Sequence, residues 1–312
     1  MKPDFFRVRT GDHFSEVLDL VEVGGVVTGG IAVYGAWTTP RFPIDVPLKF
    51  AAVVRGQARL STDGLDQPLT LDQGDIAILN CRSWAQLEGG DGGRPALVEA
   101  VDDDLIGLIG SANDVDHILF GGHIDLNPAG YALLASTLPP VAHVHASSVA
   151  GFGLRRVLDR MVEELIADRA GASFAIRQHG QLLVLELLRA HLGQADLPPG
   201  WLRVSTDRQL SPALALMHAE PSRRPSVDEL ARAASMSRTS FAERFREVAG
   251  VPPVAYLSRW RMLHAQRALR DSDIGIKALA AELGYASESA FSTAFKRSVG
   301  EAPLRYRQRL RR

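Results

Sequence analysis

The chain has 312 residues, of which 46% are hydrophobic, and this is enough for two domains with separate cores. It contains no run of about 18 apolar residues, and residues 1–10 hold no apolar stretch typical of a signal peptide. We therefore expect a cytoplasmic protein without membrane contact. The single cysteine, Cys81, excludes an internal disulfide and a cysteine-based zinc cluster.

The near-neutral total of 35 Lys and Arg against 36 Asp and Glu conceals two oppositely charged halves. From Arg203 to the end there are 20 Lys and Arg against 11 Asp and Glu, which leaves 15 against 25 in residues 1–202. A basic half indicates nucleic acid as a partner, because neutralised phosphates supply most of the non-specific affinity. The acidic half is not expected to contact DNA.

Residues 12–22 carry apolar side chains at helical spacing and predict a short helix. Beyond it, short apolar runs separated by glycine-containing turns are typical of an antiparallel barrel or sandwich. The predicted strands lie at 26–27, 31–33, 50–54, 58–60, 69–71, 76–79 and 97–101, and the predicted turns at 24–25, 29–30, 63–64, 73–74 and 89–93. The barrel is expected to span residues 24–145.

Residues 151–191 return to helical spacing and predict two helices separated by a turn at 168–173. A helix pair this apolar needs a partner, which is either the barrel or a second subunit. The apolar stripe of the first helix supplies the candidate dimer contacts, namely Leu154, Val157, Leu158, Met161 and Leu165. Residues 194–204 are the predicted linker.

Residues 226–306 contain one pattern written twice. Five positions recur fifty residues apart: Phe241 and Phe291, Phe245 and Phe295, Gly250 and Gly300, Pro253 and Pro303, and Tyr256 and Tyr306. Each copy reads as a short helix, a tight turn and a second helix, which is the pattern of a helix-turn-helix that enters a major groove. A generic helical bundle would explain one copy, but the duplication makes that alternative much less favoured.

The face opposite the paired phenylalanines is polar and small enough to approach base edges. Its candidate DNA-binding residues are Ser237, Arg238, Thr239, Ala242, Glu243 and Arg246 in the first copy and Ser287, Glu288, Ser289, Ser292, Thr293 and Lys296 in the second. Ser237 and Ser287 are also placed to cap their helices. Glu243 either accepts a hydrogen bond from a cytosine amino group or pairs with Arg246 and orients it toward a phosphate.

The segments SMSRTSFAERFREVAGVPPVAYLSRWRM and GYASESAFSTAFKRSVGEAPLRYR resemble the DNA-binding region of AraC/XylS-type transcriptional regulators. The resemblance implies a DNA-binding domain over residues 205–312, in which both helix-turn-helix units of one monomer reach successive major-groove segments. It also implies a homodimer, with double-stranded DNA and RNA polymerase as expected partners. Thr239 and Ala242 are short, so we expect modest specificity from the first unit.

Residues 50–58 and 71–79 are similar to the two signature segments of cupin barrels, and residues 120–140 resemble the segment after the barrel in cupin-type members of that family. The resemblance implies an effector and dimerisation domain over residues 1–193. Metal-binding cupins place histidines where this chain has Ala51 and Trp84, and neither residue can ligate a metal. We therefore expect a small-molecule effector and neither a metal nor a cofactor.

Four histidines remain in the barrel region, at 117, 123, 143 and 145. His143 and His145 are two apart and can lie on one strand face, although scattered histidines are more often surface or core residues. Cys81 follows the strand predicted at 76–79, and it is either a redox sensor or, on the simpler interpretation, a small buried apolar residue.

The sequence thus predicts an α+β chain of two domains: an N-terminal cupin-like β-barrel with a helical extension, and a C-terminal all-α double helix-turn-helix. The expected function is sequence-specific DNA binding in transcriptional regulation, controlled by a small molecule at the barrel and without enzyme activity. Two alternatives remain: a metal-independent redox or stress-responsive regulator that uses Cys81, and a cupin enzyme with a DNA-binding tail.

Overall fold

The computed structural model describes residues 12–91, 94–99, 101–102, 115–167, 169–193 and 197–310. Its contacts divide the chain into two compact units. One unit is Glu22–Asp196, and the other joins the segment that ends at Val21 to Leu197–Arg312. The predicted boundaries assigned residues 1–193 to a single domain, whereas the structure groups the N-terminal helix with the C-terminal unit.

The unit Glu22–Asp196 contains two β-sheets. Its strands are β1 (Val23–Val33), β2 (Trp37–Thr38), β3 (Phe42–Pro43), β4 (Leu48–Arg55), β5 (Ala58–Thr62), β6 (Leu69–Leu71), β7 (Ile76–Asn80), β8 (Trp84–Gly89), β9 (Ala96–Leu97), β10 (Val101–Asp102), β11 (His117–Leu126) and β12 (Val141–Val144). One sheet has the order β10-β1-β11-β4-β7-β12, and the other has the order β6-β5-β8-β2-β9, with β3 paired to β8.

Both sheets contribute side chains to one buried apolar cluster, which is the core of this unit. The cluster is formed by Ile31, Trp37, Ile44, Val53, Ala58, Leu60, Leu71, Ala77, Leu79, Ala85, Leu87 and Leu119. Along β5 and β8, buried residues alternate with residues that are exposed or partly exposed, as expected for strands with one buried face. The predicted strands at 50–54, 58–60, 69–71 and 76–79 are confirmed by β4, β5, β6 and β7.

Two glycine pairs that were predicted to be turns instead lie inside a long strand. Residues 24–25 and 29–30 belong to β1, which runs antiparallel to β11 with Gly29 opposite Gly121. Gly25, Gly29 and Gly30 pair with residues of β11, and Gly24 lies at a register irregularity of the same strand pair, so these glycines continue the strand. The prediction of turns at 24–25 and 29–30 is therefore wrong. Strands β8 and β11 were not predicted.

Helices α2 (Pro128–Ala135), α3 (Val149–Ala167) and α4 (Ala172–Leu192) complete this unit. Helix α4 packs closely on β1 at Gly180, where an added Cβ atom would lie only 2.7 Å from Val26 Cγ2. In the predicted dimer stripe, Leu154 and Met161 are fully buried and Leu158 is 5% exposed, while Val157 is partly exposed and the Leu165 side chain lies outside the described part.

Three residues of the α3 stripe are thus covered by the chain itself. Helix α3 packs along α4, and this pairing supplies the apolar partner that the spacing required. The prediction took that partner to be a second subunit. Leu154, Leu158 and Met161 are core residues of this chain, so these three side chains are not accessible to a second subunit.

The C-terminal unit is entirely helical in its described residues. It contains α1 (His13–Leu18), α5 (Trp201–Thr206), α6 (Ser211–Ala219), α7 (Val227–Ala233), α8 (Arg238–Ala249), α9 (Pro253–Asp271), α10 (Ile276–Glu282), α11 (Glu288–Val299) and α12 (Pro303–Leu310). Helix α5 begins inside the predicted linker. Helix α1 joins the unit because Phe14 stacks on Trp201, with ring centroids 6.2 Å apart.

Candidate functional site

Both helix-turn-helix copies are held by the same aromatic arrangement. Phe241 and Phe245 have ring centroids 5.6 Å apart, and Phe245 meets Tyr256 edge to face at 5.5 Å. In the second copy the matching distances are 5.8 Å between Phe291 and Phe295 and 5.4 Å between Phe295 and Tyr306. All four phenylalanines are fully buried. The three repeated aromatic positions therefore give both copies the same core packing.

The turns also correspond. Ser235 in the first copy and Gly284 in the second both have positive φ, at 56° and 73°. The residue that follows each of them closes the turn with a backbone hydrogen bond, from Met236 N to Ala231 O and from Tyr285 N to Ala280 O. Glycine is required in the second turn, because a Cβ atom at Gly284 would lie 2.2 Å from Ser222 O.

The two predicted caps are confirmed. The Ser237 hydroxyl accepts a hydrogen bond from Ser240 N at 3.2 Å, and the Ser287 hydroxyl accepts one from Ala290 N at 3.1 Å. Each cap satisfies a free N–H group at the start of α8 or α11 and fixes where that helix begins. Gly250 and Gly300, both in the left-handed conformation, end the same helices.

The two candidate DNA-binding surfaces lie on α8 and α11, opposite the buried phenylalanines. In the first surface Ser237, Arg238, Thr239, Glu243 and Arg246 are exposed and Ala242 is partly exposed. In the second, Ser287, Glu288, Ser289, Thr293 and Lys296 are exposed and Ser292 is partly exposed. Every predicted residue is therefore accessible to a ligand on its own helix.

Two acidic groups shape the first surface. Arg238 Nη1 lies 3.2 Å from Asp228 Oδ2 on α7, in a pair whose side chains are both more than half exposed. Such exposed pairs are weak, so DNA can compete for the guanidinium. Glu243 is exposed, and among the described residues no ion pair joins it to Arg246. The free protein thus lacks the pairing that would make Glu243 an orienting residue.

The barrel unit contains a cavity of about 400 Å³ that opens to solvent and is large enough for a small organic molecule. Most of its wall is apolar, and glycines of β1 and β11 line it together: Gly29, Gly30, Gly121 and Gly122. Because these four adjoining residues have no side chains, they leave space for the cavity next to the sheet. Ala51, which stands at the place of a cupin metal ligand, is also part of the wall.

The polar groups of the cavity are few. Lys49 and His123 lie directly opposite each other on β4 and β11, and both reach solvent in part. Lys49 Nζ is 4.9 Å from the Phe42 ring, and His123 Nε2 is 3.6 Å from Asp125 Oδ1. Glu99 is an exposed acidic lining residue. This site therefore pairs an apolar interior with two neighbouring basic side chains.

Trp84 lies outside this cavity lining, and its ring stacks beneath the Arg41 guanidinium at 3.4 Å. Cys81 is exposed, with φ of 52°, so the simpler interpretation of a small buried residue is wrong. Its backbone N–H donates to Pro47 O at the end of a strand pair, which holds the side chain outward. Exposure makes the thiol accessible and by itself indicates no function.

His143 and His145 lie close together, as their spacing suggested. Their ring centroids are 4.0 Å apart, and both rings approach the buried carboxylate of Asp75. Asp75 also accepts a hydrogen bond from Ala146 N at 2.8 Å. Burial alone would raise the pKa of Asp75, but hydrogen bonds from Ala146 and His143 outweigh it and hold the pKa below its usual value. Asp75 thereby fastens the end of β12.

Comparisons with known proteins agree with this architecture. The Cupin family model matches residues 12–193, and a Helix-turn-helix domain model matches residues 230–309. A putative AraC-like transcription regulator from Streptomyces lividans is 34% identical over 305 residues, covering 95% of this chain and 98% of the relative. A second, from Streptomyces antibioticus, is 34% identical over 304 residues with the same coverage.

Among solved structures, the DNA-binding domain of AdpA in complex with a target DNA is 33% identical. The alignment covers 34% of this chain and 95% of that chain, with a TM-score of 0.32.

The fold and the family matches define a transcriptional regulator that binds DNA through helix-turn-helix units and carries an N-terminal cupin domain. The chain belongs to the AraC-like transcription regulators. This confirms the predicted two-domain fold and the predicted function in transcription. In the described residues no helix is long and apolar enough to cross a membrane.

We predict that Glu243→Ala relaxes sequence preference at one base pair of the operator. The carboxylate is free to accept a hydrogen bond from cytosine, and its loss should reduce discrimination there by about 1–3 kcal/mol. Selection on a randomised operator with purified protein measures this effect. Glu247→Ala removes an acid one turn further along α8 and is the control. A uniform change of affinity on all sequences would show that Glu243 acts only through its charge.

Proposed function

We propose that α8 and α11 read successive major-groove segments through the twelve residues predicted for this role. The supporting observation is the duplicated aromatic core, which gives both copies the same geometry and leaves these residues on one accessible face each. Helix α9 joins the two helix-turn-helix copies. It has nineteen residues and is long enough to hold the two copies apart. Arg246 and Lys296 lie toward the ends of the two helices and would contact phosphates.

The basic charge of the DNA-binding half predicts strongly salt-dependent binding. About six phosphate contacts would give a slope near −5 when log affinity is plotted against log salt. Fluorescence anisotropy with the full chain and its operator measures this slope. Lys296→Ala should reduce the slope by about one, whereas Arg160→Ala in the barrel unit should leave it unchanged. Affinity independent of salt would contradict the electrostatic model.

We propose that the barrel cavity binds the effector, an organic molecule with an apolar body and an acidic group. The apolar wall suits the body, and the adjacent Lys49 and His123 suit the acidic group. The same cavity favours a regulator over a cupin enzyme, because Ala51 offers no ligand to a catalytic metal. We place the protein in the cytoplasm, where its DNA is, and contact with RNA polymerase stays a prediction.

Ala51→Leu is predicted to close the cavity without disturbing the DNA-binding unit. The probe is 8-anilinonaphthalene-1-sulfonate, whose rings and sulfonate match the proposed chemistry and whose fluorescence rises in apolar sites. We expect the variant to lose most of the probe binding and Lys49→Gln to weaken it about tenfold, the loss of one charge-assisted contact. Val54→Leu, on the exposed face of the same strand, is the control. Unchanged binding in Ala51→Leu would exclude this cavity.

We propose that the chain is a homodimer that uses the outer face of α4. Phe174 and Leu182 are 61% and 45% exposed, and they lie two turns apart on one stripe of that helix. This replaces the α3 stripe, in which Leu154, Leu158 and Met161 are buried within the chain.

Leu182→Glu is predicted to halve the molar mass measured by light scattering, because the new charge would be buried in the dimer. Leu158→Glu, by contrast, should unfold the barrel unit, since Leu158 is part of its core. Arg160→Glu changes charge on an exposed part of α3 and should leave the mass unchanged. A dimeric Leu182→Glu protein would place the interface elsewhere.

A further inference from the structure

Helix α1 meets the rest of the C-terminal unit through two histidines that share one carboxylate. Glu16 Oε2 lies 3.0 Å from His13 Nδ1 and 2.6 Å from His218 Nδ1. His13 and Glu16 are three residues apart on α1, and His218 is on α6, 202 residues further along the chain. The three ligand atoms all lie within 4.8 Å of one another.

The outer nitrogens of both rings also have defined partners. His13 Nε2 lies 2.9 Å from Ser211 O, and a carbonyl oxygen only accepts, so this nitrogen carries a hydrogen. Nδ1, which faces Glu16, is then the nitrogen of His13 that can offer its lone pair to an ion once its hydrogen is displaced. His218 Nε2 lies 3.0 Å from the Tyr256 hydroxyl, which can accept as well as donate. Outer N–H groups held in this way are typical of histidines that bind metals.

The rings are also held in place. The His218 ring stacks on Trp260 with centroids 3.8 Å apart and planes 12° apart, and its side chain is 2% exposed. Burial alone would raise the pKa of Glu16, but hydrogen bonds to His13 and His218 outweigh it, so the pKa lies below its usual value. The Glu16 side chain is 37% exposed, which gives an ion a path from solvent.

We propose that His13, Glu16 and His218 bind one divalent transition-metal ion, and we take Zn²⁺ as the probe. Two imidazole nitrogens and one carboxylate oxygen suit Zn²⁺, Cu²⁺, Ni²⁺ or Fe²⁺ better than Mg²⁺ or Ca²⁺, and they leave a fourth position for water. The bound ion would fasten α1 to α6, and so to the aromatic contacts that His218 makes with α9. Metal would then control whether the N-terminal helix stays docked on the DNA-binding unit.

The spacing requires little rearrangement. Metal–ligand bonds of about 2.0–2.2 Å place neighbouring tetrahedral ligands about 3.3 Å apart. The observed separations of 3.0 Å and 2.6 Å are hydrogen-bond distances, so the carboxylate has to retreat by less than about 1 Å as the metal replaces the shared hydrogens. Glu16 has this freedom because its side chain is partly exposed. The two Nδ1 atoms lie within 4.8 Å of each other and need a separation of about 3.3 Å in the complex.

The group Asp75, His143 and His145 has the same composition and lies in the barrel unit. This group is less well ordered for binding a metal ion, because the His145 side chain is 66% exposed. In addition, the two rings have no other described polar contact that would fix their outer nitrogens. We therefore assign the metal to the α1 group, and the experiment removes the competing group.

The test uses the full-length chain carrying His145→Ala, stripped with EDTA and titrated with Zn²⁺ against a chromophoric chelator. We expect one tightly bound ion per chain. Adding His13→Ala or Glu16→Gln should lower the affinity for that ion at least about 100-fold, since even the loss of a residue that only hydrogen-bonds a metal ligand lowers metal affinity 10–100-fold. Adding His179→Ala, in the barrel unit and outside both groups, should have no effect.

A second measurement identifies the ligands directly. Co²⁺ in a site with two histidines and one carboxylate gives visible absorption, which should be present in the His145→Ala protein and absent when His13→Ala is added. Circular dichroism checks that the variants are folded. Equal Zn²⁺ affinity with and without His13, or binding that disappears with His145→Ala alone, would overturn the proposal and leave Glu16 as a hydrogen-bonded contact.

Discussion

The contact between the second phenylalanine of each copy and a tyrosine from the following helix determines the geometry of the DNA-binding unit. Phe245 meets Tyr256 and Phe295 meets Tyr306 edge to face, at almost equal distances and angles. Each tyrosine lies in the first turn of its own helix, directly after a proline start, so the contact fixes how that helix leaves the helix-turn-helix. Removing either ring would leave a large cavity under α8 or α11.

Much of this unit is readable from the sequence because its signals are local. Phenylalanines at i and i+4, a serine before the helix and a glycine after it specify a face, a start and an end, and the repeat shows each signal twice. The barrel is less readable, because glycine pairs that look like turns become interior strand residues once β11 pairs with β1. That pairing joins residues about ninety apart, and no local pattern carries it.

The same limit explains which parts of the sites sequence could not predict. The short signature segment over residues 50–58 was enough to point to Ala51. The juxtaposition of Lys49 with His123, by contrast, depends on the register between β4 and β11. The helix predicted over residues 12–22 was confirmed as α1, yet its place on the C-terminal unit depends on Trp201, Ser211 and His218. The α3 stripe was correctly seen as apolar, and only the structure shows that Leu154, Leu158 and Met161 are covered by their own chain.

The two tyrosine hydroxyls distinguish copies that otherwise look alike. Tyr306 OH donates to Gln266 on α9, 3.4 Å away, so this hydroxyl has its partner within the repeat. Tyr256 OH meets His218, which lies before the repeat begins and in turn contacts α1. Opening the first copy therefore breaks the hydrogen bond between Tyr256 and His218, whereas opening the second copy leaves that hydrogen bond in place. Amide hydrogens of the first copy should consequently report events at α1, and those of the second should exchange independently of them.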